Sequence, residues 1–245
     1  LCLSSRVRRS PCRVVYAPGR WTVWGALGRW FAGSPGLLLI GCMSAAPPPP
    51  GVVPVVSYGG RGAQTSPYFV VFVTGDGGWR RIDVKVSDIL RDAGMPVVGI
   101  LANSYFARER TPDETAADLE KVIREYQAKW QRKKVVLVGY SRGAEALPFM
   151  VNRLSDDIKR DVDLIALLGP AETTAFKVGN PDRYPLEPEV EKLWGDELVC
   201  VVGTLEEHSI CRSIPAGDAV VLTLRGGHHF GGAYDRIGQV ILDAL

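Results

Sequence analysis

Ser141 stands in Gly139-Tyr140-Ser141-Arg142-Gly143, directly after the apolar run Val135-Val136-Leu137-Val138 and directly before a helical pattern. A serine on a sharp turn between strand and helix presents its hydroxyl as a nucleophile, and such a turn needs neighbours without side chains two residues to either side. Glycine at 139 and 143 meets that need. The pentapeptide pattern alone arises by chance in roughly one chain in ten of this size, so the placement between a buried strand and a helix is what carries the expectation.

An acyl-transfer serine also needs a base within hydrogen-bond reach, an acid to orient that base, and backbone N–H donors for the oxyanion. The chain has three histidines, and two of them, His228 and His229, lie in the glycine-rich stretch Gly226-Gly227-His228-His229-Phe230-Gly231-Gly232 after the last apolar run. His228 is the expected base, with His229 the alternative and one of the pair a structural loop residue. Glu206 and Glu207 follow the penultimate apolar run, and Glu206, three residues beyond Gly203, is the better placed acid; the alternative makes both of them solvated loop charges. The order Ser141, Glu206, His228 is that of an α/β-hydrolase triad. Thr74-Gly75-Asp76-Gly77-Gly78-Trp79 ends the first strong strand, so backbone N–H groups of Asp76 or Gly77 are the expected oxyanion donors, together with that of Arg142. A phosphate-binding loop is the competing reading of these glycines, but neither G-x-G-x-x-G nor G-K-[ST] is present. No metal or organic cofactor is expected, because no cluster has ligand spacing and the two close histidines are adjacent.

Elements must carry these groups to one place. From Ser66 onward, short β-branched apolar runs alternate with amphipathic patterns, with strands expected at about 69–74, 96–101, 135–139, 163–168, 198–203 and 219–224. Helices are expected at about 79–93, 113–130, 142–153 and 233–245, Asp113 and Glu114 charging the first turn of the second and Gly94 ending the first. This alternation predicts an α/β-hydrolase-like fold, a mostly parallel sheet with helices on both faces. No insertion is long enough for a large lid domain, so the site should be open.

The 245 residues are 46% apolar and 23% charged, enough to bury a core without metals or disulfides. The formal charge of +2 hides an asymmetry, since residues 1–75 hold seven Arg and no Asp, Glu or Lys. The remainder holds 22 basic and 27 acidic residues, a balance of −5, which argues against a nucleic-acid partner. Residues 1–46 read as a targeting segment, with Arg6, Arg8 and Arg9 before a mainly apolar stretch that closes in Leu39-Ile40-Gly41-Cys42. That tetrapeptide resembles a bacterial lipobox with Cys42 as the lipidated residue; the alternative is ordinary cleavage near Ala45-Ala46. A Pro-rich linker over 47–65 and a folded domain over 66–245 complete the organisation, leaving a tether of about 24 residues that extends on the order of 70 Å. In an oxidising compartment Cys200 and Cys211 could pair across their short loop, or remain two thiols with Cys200 buried in a strand.

The stretch from about Phe69 to Leu245 resembles the VirJ/AcvB family of bacterial virulence proteins. The resemblance is carried by Thr74 to Trp79, Tyr105-Phe106-Ala107-Arg108-Glu109-Arg110-Thr111-Pro112, Ala116-Ala117-Asp118-Leu119, Gly139 to Ala144 with Leu147-Pro148-Phe149, Asn152-Arg153-Leu154 and Gly227-His228-His229-Phe230. It implies a periplasmic serine hydrolase acting on aminoacylated phosphatidylglycerol, such as the lysyl form, with Ser141 as nucleophile and, in some members, a link to type IV secretion proteins. Two positions depart from the family pattern: His208 stands where an aspartate is expected, and Arg142 where an apolar residue is expected. A guanidinium at 142 could hold a lipid phosphate or pair with Glu145 as a surface ion pair. The implied partners are a phospholipid headgroup as substrate and a membrane surface reached through Cys42. The rival classes are a non-catalytic periplasmic binding or secretion-assembly factor on the same scaffold, and a general carboxylesterase.

Overall fold

The computed structural model describes residues 51–61, 66–181, 183–195 and 197–245. The targeting segment, the lipobox-like tetrapeptide and Pro47 to Pro50 lie outside the described residues.

Strands β1 (Val55–Tyr58), β2 (Tyr68–Val73), β3 (Val97–Ile100), β4 (Lys134–Tyr140), β5 (Val162–Leu168), two-residue β6 (Thr173–Thr174) and β7 (Tyr184–Pro185), β8 (Leu198–Gly203) and β9 (Val220–Leu224) alternate with helices. The helices are α1 (Arg81–Asp92), α2 (Ala102–Tyr105), α3 (Pro112–Trp130), α4 (Arg142–Asn152), α5 (Asp156–Lys159), α6 (Glu187–Val190) and α7 (Tyr234–Asp243). Seven strands form one sheet in the order β1-β3-β2-β4-β5-β8-β9, parallel except for β1, which runs antiparallel to β3. β6 and β7 pair separately as a small antiparallel hairpin.

The sheet is buried on both faces because successive side chains alternate sides. Phe69, Val71 and Val73 of β2 pack with Leu119, Ile123, Leu147 and Met150 of α3 and α4. Val70 and Phe72 turn the other way, toward Ile82, Val86 and Leu90 of α1 and Ile237 and Ile241 of α7. Thr111 caps α3 by accepting from Glu114 N at 3.1 Å while the Glu114 carboxylate accepts from Thr111 N at 2.8 Å. Such reciprocal capping fixes where the helix starts.

The linker expected over 47–65 contains β1. Val55 to Tyr58 pair with Ile100 to Val97, and Leu101 N donates to Pro54 O at 2.9 Å, so the ordered domain begins before Ser66. The prolines do not forbid this, because β1 is an edge strand and Pro54 needs only its carbonyl.

Candidate active site

Chain order and strand order together create the site. The connection leaving β2 runs to β3 on one side and that leaving β4 runs to β5 on the other, so a crevice opens between the carboxyl ends of β2 and β4. Val73 pairs with Gly139, which sets the loop after β2 beside the turn after β4.

Ser141 occupies that turn with φ 53° and ψ −121°, a conformation rare for a side-chain-bearing residue. Holding it costs about 1–3 kcal/mol, which surrounding contacts must over-determine. Ser141 N donates to Leu168 O and Glu145 N donates to Ser141 O, both at 2.9 Å. The flanking glycines are required: a Cβ on Gly139 would lie 2.6 Å from the Gly143 backbone, and one on Gly143 would lie 2.0 Å from Val73 O.

His228 Nε2 lies 2.8 Å from Ser141 Oγ, and His228 Nδ1 lies 2.7 Å from Glu206 Oε1. The other carboxylate oxygen of Glu206 accepts from Gly203 N at 2.6 Å. Burial raises the affinity of Glu206 for a proton, but the His228 hydrogen bond, the Gly203 N–H and electrostatic interaction with His228 and Arg212 outweigh it and hold the carboxyl below the usual glutamate range. Glu207 is exposed, and His208 is exposed with its Nδ1 4.0 Å from Glu172 Oε2. Of the two adjacent carboxylates, Glu206 is the one that reaches the imidazole.

Around Asp76 and Gly77 the chain makes a tight turn, with Gly78 N donating to Gly75 O at 2.9 Å. The N–H groups of Asp76 and Gly77, at the central positions, lie outside that turn bond. Arg142 opens α4, so its N–H points out of the helix N-terminus. Its guanidinium pairs with Glu145 Oε2 at 3.0 Å, donates to Thr174 Oγ1 at 3.0 Å and Ala175 O at 3.3 Å, and lies 3.5 Å from Asp76 Oδ1. The Glu145 pair was expected on the surface; instead the two side chains are only 12% and 10% exposed, tucked under the β6–β7 hairpin. Arg142 thus ties the Ser141 turn to the Asp76 loop and to β6, and a role as phosphate holder is displaced by these contacts.

Other residues shape the site from behind, and of these Gly169 and Arg212 carry no sequence motif, whereas the Cys200–Cys211 pair and Phe230 were visible in the sequence. Gly169, at φ 63°, leaves the space where a Cβ would come within 3.2 Å of His228 Nδ1 and 3.3 Å of Glu206 Oε1. Gly-Pro directly after a predicted strand was the available signal. Arg212 Nε donates to Glu206 O at 2.7 Å and its Nη2 to Gly203 O at 3.0 Å, bracing the acid loop from behind. Cys200 and Cys211 form a disulfide that closes the same loop. Phe230, fully buried with φ 52°, ends the turn in which Phe230 N donates to Gly227 O at 2.7 Å and so brings His228 forward. Among the described residues no group of His, Cys, Asp and Glu is arranged to hold a metal ion.

The sheet order and this crevice define an α/β-hydrolase fold. Its solved likenesses include a lipase-esterase related protein from Clostridium acetobutylicum, with TM-score 0.58 and 12% identity over 79% of this chain and 99% of that one. Est1E from Butyrivibrio proteoclasticus matches with TM-score 0.58 and 11% identity over 78% and 95% of the two chains. An a/b serine hydrolase without lid from Xanthomonas campestris matches with TM-score 0.51 and 13% identity over 78% and 86%. No curated protein matches the chain by sequence. The chain belongs to the VirJ family of bacterial virulence proteins, which matches residues 67–245.

Proposed function

We propose that this chain is an exported serine ester hydrolase in which Ser141 is the nucleophile, His228 the base and Glu206 the orienting acid. The observation that carries the reading is the continuous chain from Ser141 Oγ to His228 at 2.8 Å and from His228 to Glu206 at 2.7 Å. His228 Nε2 takes the proton of Ser141 as Oγ attacks the ester carbonyl carbon. N–H groups of Asp76 or Gly77 and of Arg142 hold the oxyanion, and collapse expels the alcohol, which takes the proton back from Nε2. Water, deprotonated in turn by His228, then releases the acyl group and restores the serine.

The substrate assigned by this reading is the aminoacyl ester of an aminoacylated phosphatidylglycerol, the lysyl form for example. Its support is membership of the VirJ family, the charge balance of −5 after residue 75, and exposed carboxylates of Asp76, Glu172 and Glu207 on loops after β2, β5 and β8. Those loops leave the carboxyl ends of parallel strands, the end where the nucleophile sits. The Arg-bearing leader and the lipobox-like Cys42 support export to the periplasm with a lipid anchor.

Ser141→Ala tests the reading. A fluorophosphonate probe should label the wild type at Ser141 and leave the folded variant unlabelled, and ester turnover should fall by several powers of ten. Equal turnover by folded Ser141→Ala would end the nucleophile assignment and favour a non-catalytic secretion-assembly factor.

A further inference from the structure

Tyr140 immediately precedes Ser141 and packs against the histidine loop. Its ring stacks on the His228 imidazole with centroids 5.2 Å apart and planes 29° apart. Its hydroxyl donates to the backbone oxygen of His228 at 3.1 Å and lies 2.9 Å from His229 Nδ1. We propose that Tyr140 and His229 are positioning residues for the base, holding His228 against the nucleophile turn through a hydrogen-bonded chain that does not include Ser141.

The protons of this chain can be assigned. A phenol has one hydrogen and a backbone carbonyl only accepts, so both contacts are hydrogen bonds at once only where the hydrogen of Tyr140 goes to His228 O. The contact with His229 is then a hydrogen bond only if Nδ1 carries a proton and donates to the phenolic oxygen. The arrangement that satisfies both contacts carries the proton of His229 at Nδ1 and leaves Nε2 to solvent at an exposed position. Burial, reinforced by electrostatic repulsion from Asp83, Tyr234 and Glu206, pushes the Tyr140 hydroxyl above the ordinary phenol range, so it remains a donor at neutral pH.

The consequence concerns the part of the cycle that the Ser141–His228 bond cannot serve. Once Ser141 is acylated, its oxygen has no hydrogen to give, and that bond no longer locates the imidazole. The Tyr140 bond to His228 O and the ring stack do not involve the reacting atoms and persist through acylation. Because Tyr140 is covalently adjacent to Ser141, the base remains in register with the nucleophile while it activates water. Misplacement of an imidazole by a fraction of an ångström is enough to slow such a step.

This inference rests on the hydrolase reading, and the experiment separates the two. Tyr140→Phe keeps the ring and loses both hydrogen bonds. With p-nitrophenyl acetate as probe, kcat should fall about tenfold or more with KM within about twofold, and fluorophosphonate labelling should slow in parallel. His229→Ala should lower kcat similarly, and His229→Asn, whose side-chain N–H can replace Nδ1–H, should recover most of it. Nitrogen NMR of the wild type should find His229 protonated at Nδ1. A labelled wild type with Tyr140→Phe equally fast, or a bare Nδ1 on His229, overturns this inference alone. A wild type that the probe does not label at Ser141 overturns the hydrolase reading and this inference with it.

Discussion

A carboxylate orients an imidazole only where its own position is fixed, and the two candidates at 206 and 207 differ in that respect alone. Glu206 accepts from Gly203 N and from His228, on a loop braced by Arg212 and closed by the Cys200–Cys211 disulfide, whereas Glu207 faces solvent. Glu206→Gln should therefore lower kcat by a factor of about 100 or more, by analogy with the loss on removing a triad acid, and Glu207→Gln should leave it within about twofold. Near-normal activity in Glu206→Gln would move the orienting role elsewhere. The sharp turn at Ser141 and the glycine-flanked histidine loop were legible because glycine spacing reports a backbone constraint directly. The choice between adjacent glutamates was not, since it depends on which way the chain turns after Gly203, and Gly203 itself is confined: a Cβ there would lie 2.6 Å from the oxygens of Gly226 and Gly227. Arg142 shows the opposite failure, a residue visible in the sequence whose burial under β6 was not.

Elements were legible where a pattern ran long. The expected strand over 198–203 matches β8, and the expected helix over 113–130 differs from α3 by one residue. β6 and β7 escaped because two-residue strands have no periodicity to read, and β1 because its four residues lie beside Pro47 to Pro50 and Pro54 in a stretch that reads as linker. Helix α1 carries a burial that its pattern also concealed. Asp83 is fully buried; one carboxylate oxygen accepts from Arg80 N at 2.7 Å, and the other has no hydrogen-bond partner among the described residues. Burial raises its pKa to about 6 against the lowering effects of backbone hydrogen bonds and Arg80. Since the folded value exceeds the unfolded one, the native state retains a proton that the unfolded chain has lost, and stability falls as pH rises from about 4 to about 6. The loss is on the order of 2–3 kcal/mol. Asp83→Asn keeps an acceptor for Arg80 N and removes the charge. At about pH 7.5 it should melt several degrees above the wild type, with the gap closing near pH 4. An equal gap at both pH values would show that ionisation of Asp83 is not its cause.

At the scale of the whole molecule, β1 sets the end at which the chain enters the sheet. Because β1 is antiparallel, its first residue Val55 pairs with Ile100, the last residue of β3, and Ile100 in turn pairs with Val73 at the carboxyl end of β2. The chain therefore enters the sheet at the same end that carries Asp76 and Ser141. Counting from Val55 rather than Ser66, a lipid on Cys42 would be separated from the sheet by about 12 residues, at most about 40 Å of extended chain. That is roughly half the reach expected with 47–65 wholly a linker, and under the proposed lipid anchor it would keep the site close to headgroups. The carboxylates of Asp76, Glu172 and Glu207 at that end would attract the ammonium groups of a lysyl ester more than a neutral acyl chain. The chain from Gly51 onward, which retains β1, should release free lysine from lysyl-phosphatidylglycerol in mixed micelles with higher kcat/KM than it shows for short-chain p-nitrophenyl esters. Added salt should narrow the difference, since attraction between exposed charges is screened over about 8–10 Å at physiological ionic strength. Preference for the soluble esters, with no lysine released from the lipid, would sink the aminoacyl-lipid assignment and leave a general carboxylesterase.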